Sequence, residues 1–503
     1  MTTAAPTAAV AARAVDAAAL LAWIRTRRWF GAKGGVPSAA RIVDVLPLPW
    51  EDGAFAILRV LVETAAGAHR YQVPVALRAT LPPGATRIAE VAGASLFDAT
   101  DDVGFRRHLA DAFARGCRVE YEGGTWVVER MGVTGLRLPP SAEITVGSAE
   151  QSNTSIRLGE AAILKLFRKL EPGTHPDVEI TRFLTIDRGF PNTPVLLGTM
   201  RWEDASGPTV GGMLQELVPK AQDAWEYALA TGRPFFAAAR EREPEDAFAA
   251  DAAQLGRVTR AMHEALASDA RHPDFAPEVA RETMVGRWAA HVRRQVEDAV
   301  ALLERQVGAS AVVRDRVEEA KVVVRRREHY LALVDEIEAE VEHDAGQCIR
   351  HHGDYHLGQV LRTAAGEFMI IDFEGEPARP LEERRARHSA LRDVAGMLRS
   401  FSYAAATLAG EARRGHGAVD PSTVEIRAGR WERDARSRFL DAYFSGARPS
   451  FLPKKPANAR LLLSLFEIEK VFYELSYELN NRPDWVAIPL RGIARLTTVS
   501  GAR

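Results

Sequence analysis

Asp354, Gln359 and Asp372 are three oxygen-bearing side chains in a fixed order within a 24-residue stretch from His351 to Glu374. The carboxylate of His352-Gly353-Asp354 is suited to take a proton from an attacking hydroxyl. An amide at Gln359 and a second carboxylate after the apolar run that ends Ile370-Ile371-Asp372 supply hard oxygen donors for Mg²⁺. Together these groups suit transfer of a phosphoryl group, a reaction catalysed by positioning and charge neutralisation. A competing reading takes the alternating His352, Asp354 and His356 as a metal site of two histidines and a carboxylate. That reading leaves Gln359 and Asp372 without a task.

The order of groups is that of protein kinases, where H-R-D-x-x-x-x-N precedes D-F-G. Such an assignment requires a nucleotide lobe upstream. Gly147 to Ile156 reads as a small polar loop between strands, in which Gln151, Ser152, Asn153 and Thr154 are expected to meet phosphate. The apolar run Ala162-Ile163-Leu164-Lys165-Leu166-Phe167 then carries a lysine in mid-strand. An ammonium there needs a partner, because burying it unpaired is costly. Pro176-Asp177 opens a periodic segment in the way helices begin, and Glu179 in its first turn is the expected partner of Lys165. Gly212 to Pro219 reads as a strand leading into a hinge, with the Glu216 carbonyl and the Val218 amide as expected contacts of an adenine.

Four stretches resemble the bacterial maltokinases, relatives of the aminoglycoside phosphotransferases. They are Glu150 to Ser155 with Leu164 to Arg168, Gln222 to Tyr227, His352 to Phe401, and Glu469 to Trp485. The opening Arg27-Arg28-Trp29-Phe30-Gly31-Ala32-Lys33 is similar to the start of that family. The resemblance implies ATP and Mg²⁺ as cofactors, Asp354 as base and Gln359 and Asp372 as metal ligands. The implied reaction is phosphorylation of maltose at its anomeric hydroxyl, for α-glucan and glycogen synthesis, next to a trehalose synthase that is a partner by family analogy. Ser402 follows Arg399-Ser400-Phe401 where some members carry an acidic residue. Glucosamine kinases share the scaffold, so a hexosamine is the alternative acceptor, and a catalytically inactive binding module is a third reading.

A pyranose needs polar groups for its hydroxyls and an aromatic face for its C–H faces. Tyr473 and Tyr477, and likewise Glu474 and Glu478, are four apart, so each pair shares one helix face. The expected sugar contacts are His352, Glu374, Asp393, Arg399, Tyr473, Glu474, Tyr477, Arg482 and Trp485. Asp393 and Arg399 are six apart and point to different faces of a helix. An aminosugar would call on Asp393, Glu474 and Glu478 to hold its ammonium. Glu374 either orients Asp372 or faces the substrate.

The 503 residues carry a net charge of −2, which suggests neither nucleic acid nor an anionic membrane as partner. The two cysteines, Cys117 and Cys348, cannot build a disulfide framework, so a cytoplasmic location is expected. The fold expected is α+β, a bilobal kinase-like arrangement. A flexible Ala-rich start over 1–20 precedes an α/β cap over 21–135 and a nucleotide-binding subdomain over 136–218. A mainly helical C-terminal lobe over 219–503 completes it.

Overall fold

Alternating apolar residues from Arg41 onward form the strands that their period predicts, and the 3.6-residue period takes over after residue 249. The computed structural model describes residues 6–30, 36–65, 67–132, 136, 138–139, 141–147, 153–237, 248–309, 316–377, 379–414 and 420–496. Two compact units divide the chain, residues 1–219 with 378–381 and residues 220–377 with 382–503. Among the described residues no helix is long and apolar enough to cross a membrane.

The first unit opens with α1 (Ala8–Arg13) and α2 (Ala17–Arg25), then β1 (Ala39–Leu48), β2 (Phe55–Thr64), β3 (Gly67–Arg78), β4 (Arg87–Val91), β5 (Ala94–Asp98) and α3 (Val103–Arg115). The flexible start is corrected here. Ala8, Ala11 and Ala12 are fully buried in the same apolar cluster as Leu20, Trp23, Ile24 and the strand residues Leu58, Val60 and Val73. Small side chains let α1 approach the sheet closely, and Thr7 and Asp16 cap the two helices.

A second sheet follows, from β6 (Cys117–Tyr121), β7 (Gly124–Arg130), β8 (Ile144–Val146), β9 (Asn153–Leu158) and β10 (Ala162–Phe167). The two-residue β11 (Lys169–Leu170), the helix α4 (Pro176–Arg182), β12 (Leu196–Asp204) and β13 (Gly207–Glu216) complete the unit. The first sheet runs β1-β2-β3-β5-β4 and the second β6-β7-β12-β13-β10-β9-β8. β6 and β7 therefore belong to the second sheet, so the expected cap boundary at 135 lies too far along the chain. β7 pairs with β12, some 70 residues away in sequence and beyond the reach of local pattern.

A buried polar seam joins these sheets. β11 pairs with β3 through Lys169 opposite Tyr71 and Leu170 opposite Arg70. The Gln72 amide donates to the carbonyls of Phe167 (2.6 Å) and Gly211 and accepts from the Trp202 indole (3.2 Å). Arg168 donates to Thr154 Oγ1 (2.8 Å) and meets the Asp98 carboxylate at 2.9 Å.

The second unit comprises β14 (Gln222–Asp223), α5 (Ala224–Ala237), α6 (Ala249–Leu266), β15 (Glu278–Val279), α7 (Glu282–Ala309), α8 (Val317–Arg325), α9 (Arg327–Val341) and β16 (Gln347–Cys348). It continues through β17 (Val360–Arg362), β18 (Phe368–Ile370), α10 (Leu381–Arg385), α11 (Leu391–Arg414), α12 (Pro421–Tyr443), α13 (Pro456–Asn481) and α14 (Ala487–Leu496). α6 lies so close on α12 that a Cβ at Gly256 would stand 2.3 Å from the Phe439 carbonyl oxygen, which only glycine permits. The hairpin of β17 and β18 pairs Val360 with Ile370.

Candidate active site

The loop between β16 and β17 carries His351 to Gln359, and α11 fixes its backbone. Asp393, in the first turn of α11, accepts from the amides of His352 (2.7 Å) and Gly353 (2.9 Å). His263 of α6 meets the same carboxylate at 3.1 Å through Nε2, and its Nδ1 lies 2.9 Å from the Tyr443 hydroxyl. Burial works against the Asp393 charge, but these histidines and hydrogen bonds outweigh it and hold the carboxyl well below its usual range. Asp393 was expected to touch sugar. Its carboxylate is instead occupied in shaping the loop, which makes it a positioning residue.

His352 also departs from the expectation of substrate contact. Its ring is buried, with Nε2 2.9 Å from the Ile371 carbonyl oxygen and Nδ1 3.4 Å from the Asp354 amide. Donating through Nε2 leaves no lone pair there for a metal, which removes the two-histidine reading. His351 is buried with neither ring nitrogen hydrogen-bonded, and burial pushes its pKa down to about 4. Gly353 has φ 85°, and a Cβ on it would meet the Gly375 Cα at 3.1 Å.

Asp354 and His356 are part-exposed on this loop, Nε2 of His356 standing 4.0 Å from Asp354 Oδ2. Ile371 N donates to the Gln359 carbonyl (3.0 Å), so the hairpin brings Gln359 and Asp372 to the same end. Asp372 has φ 70°, a left-handed backbone that a non-glycine residue adopts only when its surroundings impose it. Its carboxylate and that of Glu374 lie within 4.8 Å of each other. Carboxylate and amide oxygens are the donors Mg²⁺ prefers, so this end of the hairpin fits the ion. Arg384 donates to the Glu374 carbonyl at 3.2 Å, which fixes that backbone.

In the first unit, Lys165 Nζ lies 3.0 Å from Asp177 Oδ2, both side chains almost fully buried. The sequence expectation named Glu179. The first turn of α4 presents Asp177, two residues earlier, with Thr181 Oγ1 at 3.4 Å from its other oxygen. Glu179 sits half-buried in the same turn. Register puts Ser155 opposite Lys165 and Asn153 opposite Phe167, on the lysine's face of the sheet. Thr154 faces the other way, and its hydroxyl accepts from Arg168, so its expected phosphate contact is withdrawn. Gln151 and Ser152 lie outside the described residues. At the end of β13, the Leu217 amide donates to the Ala161 carbonyl (3.1 Å) and Glu216 N to Val195 (2.9 Å), which leaves the half-buried Val218 as the next residue.

The C-terminal helices separate into pairs that hold one another and groups that stay open. Arg399 binds Glu474 in a bidentate arrangement with contacts of 2.7 to 3.1 Å, and its other nitrogen reaches Ser402 Oγ at 3.2 Å. Glu478, fully buried, accepts from Arg482 (2.7 and 3.0 Å) and from the Tyr403 hydroxyl (2.8 Å). Arg399, Glu474 and the Glu478 carboxylate are thereby consumed by internal pairs 75 residues apart or one helical turn apart, which corrects their expected sugar contacts. Arg399→Met should lower stability by about 3 kcal/mol, because it strands the buried Glu474. Adding Glu474→Leu should restore most of that loss in urea unfolding.

Tyr473 and Tyr477 remain 42% and 40% exposed, their rings 24° from parallel with centroids 6.4 Å apart. Arg482 stands over Tyr477 (5.3 Å) and over Trp485 (5.1 Å), and Trp485 stacks on Tyr403 (6.1 Å). Lys470 was missed by sequence reasoning, although it lies one turn before Glu474 inside a motif already singled out. Its ammonium binds Glu376 and stands 5.9 Å from the Tyr473 ring. Burial opposes its charge, but the Glu376 and Asp354 carboxylates outweigh burial and raise its pKa. The Tyr473 hydroxyl is raised by burial and then by Glu376 and Asp354. The Lys470 ammonium, the Glu376 carboxylate and the open Tyr473 ring thus gather near Asp354.

The chain is similar to known proteins over most of its length. Residues 23–102 match the model of the maltokinase N-terminal cap domain. The glucosamine kinase of Streptacidiphilus jiangxiensis is 28% identical over 474 residues, 91% of each chain. That of Mycolicibacterium smegmatis is 29% identical over 343 residues, 68% of this chain and 76% of the relative. A structure of glucosamine kinase in complex with glucosamine, ADP and inorganic phosphate superposes with a TM-score of 0.65 at 24% identity, covering 98% of this chain and 99% of the other. A second glucosamine kinase crystal form gives a TM-score of 0.64 at 25% identity, covering 92% and 94%. The chain has a kinase-like fold, sheet-rich in its first unit and helical in its second, whose opening residues are similar to the maltokinase cap.

Proposed function

We propose that this chain is an ATP-dependent sugar kinase. The observation that carries the reading is the Asp393-clamped loop that presents Asp354 beside Lys470 and the open tyrosines, with Gln359 and Asp372 brought to one end of the following hairpin. Asp354 takes the proton of the attacking sugar hydroxyl. Gln359 and Asp372 would hold Mg²⁺, which when bound would supply charge neutralisation on the phosphates. Lys165, held by Asp177, binds phosphate oxygens on the nucleotide. Asn153 lines the same sheet face, and the hinge at Glu216 and Val218 receives the adenine. The glucosamine kinases that resemble the chain, and the similar solved glucosamine kinase holding ADP and inorganic phosphate, support ATP as donor.

The acceptor we assign is maltose. Every carboxylate expected to hold an aminosugar's ammonium is already neutralised, Asp393 by the loop and His263, Glu474 by Arg399, Glu478 by Arg482. The match of residues 23–102 to the maltokinase cap supports the same choice. Glucosamine is the second reading, favoured by the two glucosamine kinases that resemble the chain over most of its length.

ADP release with Mg-ATP is to be compared across maltose, glucosamine and glucose. Turnover on maltose alone supports the assignment; preference for glucosamine keeps the chemistry and overturns the acceptor; no turnover on any sugar overturns both. Replacing Tyr473 or Tyr477 by alanine should raise KM for the sugar by about 3- to 10-fold with kcat and the KM for ATP nearly unchanged, since a stacked ring contributes mainly uniform binding.

A further inference from the structure

Gln215 sits one residue before the hinge and is only 2% exposed. Its Nε2 is buried without a hydrogen-bond partner. A donor left in that state is costly, and native structures keep one where something else completes it. Register places Gln215 opposite Ile163 of β10 and opposite Leu196 of β12. Lys165 lies opposite Met213, two residues back along β13, so Lys165, Met213, Ile163 and Gln215 share one face of the sheet. Ile163 is the half-buried residue in a strand whose other side chains are all buried. A carboxamide with its Nε2 unpaired therefore lies across from a part-open aliphatic side chain, on the face of Lys165 and three residues before Val218.

We infer that Gln215 reads the N6–N7 edge of the adenine and so selects ATP over GTP; this rests on the nucleotide reading given above. A carboxamide offers one acceptor and one donor side by side, which matches adenine in a bidentate pair. Oε1 accepts from the N6 amine and Nε2 donates to N7, while Ile163 packs on the base. Guanine and hypoxanthine carry a carbonyl at position six, so both their edge atoms are acceptors. Whichever way the amide turns, Oε1 then faces an acceptor.

Calorimetric titration of the full chain with Mg-ADP, Mg-IDP and Mg-7-deaza-ADP tests this without needing an acceptor sugar. IDP changes only position six, and 7-deaza-ADP removes only N7, so the second ligand serves as a variant that cannot misfold. The wild type should prefer ADP over IDP by roughly 10- to 100-fold and bind 7-deaza-ADP about 5- to 10-fold more weakly than ADP. Gln215→Met and Gln215→Leu should bring ADP and 7-deaza-ADP within about threefold of one another and shrink the preference over IDP to the part the Glu216 carbonyl supplies, chiefly by weakening ADP. Equal wild-type affinity for ADP and 7-deaza-ADP overturns the inference, as does wild-type discrimination retained in both variants. A wild type that binds no ADP overturns the nucleotide reading itself, and the inference with it.

Discussion

Asp354→Asn is expected to lower kcat by about 10²- to 10⁴-fold, the range over which a positioned general base accelerates a reaction. The amide keeps the size and the neighbours of the carboxylate, so the loop should hold its shape. What it loses is the ability to accept the hydroxyl proton as the bond to phosphorus forms. Nucleotide affinity should stay within about twofold, because the groups assigned to the nucleotide are Lys165, Gln359, Asp372 and the hinge. Lys470 would lose one of its two carboxylate neighbours, so a modest rise in sugar KM is compatible with the assignment. Rapid-quench measurement of a single turnover, with ADP binding measured in parallel, separates these effects. Retained turnover would remove Asp354 from the role of base and leave the metal ligands as the whole of the catalytic apparatus.

Asp393→Ala should destabilise the chain by about 5 kcal/mol, the upper range for stranding a buried, fully hydrogen-bonded charge site. Two loop amides and His263 lose their acceptor together, in a place water cannot reach. Asp393→Asn is nearly as disruptive, because one of its two donor-facing oxygens becomes an NH₂ group. The pH dependence distinguishes this from a simple packing loss. The folded pKa of Asp393 is depressed, so its contribution is present above the unfolded carboxyl pKa and disappears as pH falls through the folded value. His351 acts in a different window. Its pKa is lowered from the ordinary imidazole value of 6.5 to about 4, so the unfolded chain binds the extra proton and stability falls as pH drops between those values. Urea unfolding of the wild type should therefore weaken in two stages, first below neutrality and again in strong acid. The Asp393 variants should keep the first stage and show a smaller second one, to which Glu469 and Asp204, also held low by their arginine partners, still contribute.

The candidate catalytic loop was legible in the sequence because the groups that compose it are local. Asp354, Gln359 and Asp372 lie within 19 residues, and one hairpin suffices to gather the last two. Nothing local announces the function of Asp393, which meets its loop across 40 residues, or the neutralisation of Glu474 by Arg399 across 75. Helical spacing showed which residues share a face of α13 but not what packs on that face. That is why Glu474 looked available to a sugar while Lys470, four residues before it, went unassigned. On α4 the first turn itself was legible, but not that Asp177 within it would meet Lys165. The cap boundary failed for another reason. β6 and β7 look like any hairpin, and only their pairing with β12 reveals which sheet they complete.

The strand Lys169–Leu170, short as it is, bears on the order of events during synthesis. β3 acquires its last neighbour only when residues 169 and 170 arrive, and Gln72 waits for carbonyls at 167 and 211. A ribosome adding about 5–20 residues per second leaves the first sheet incomplete for several seconds after residue 102 has emerged. During that interval the edge of β3 and the amide of Gln72 are open to any passing strand, so nascent chains stalled between these points should be the ones that chaperones retain.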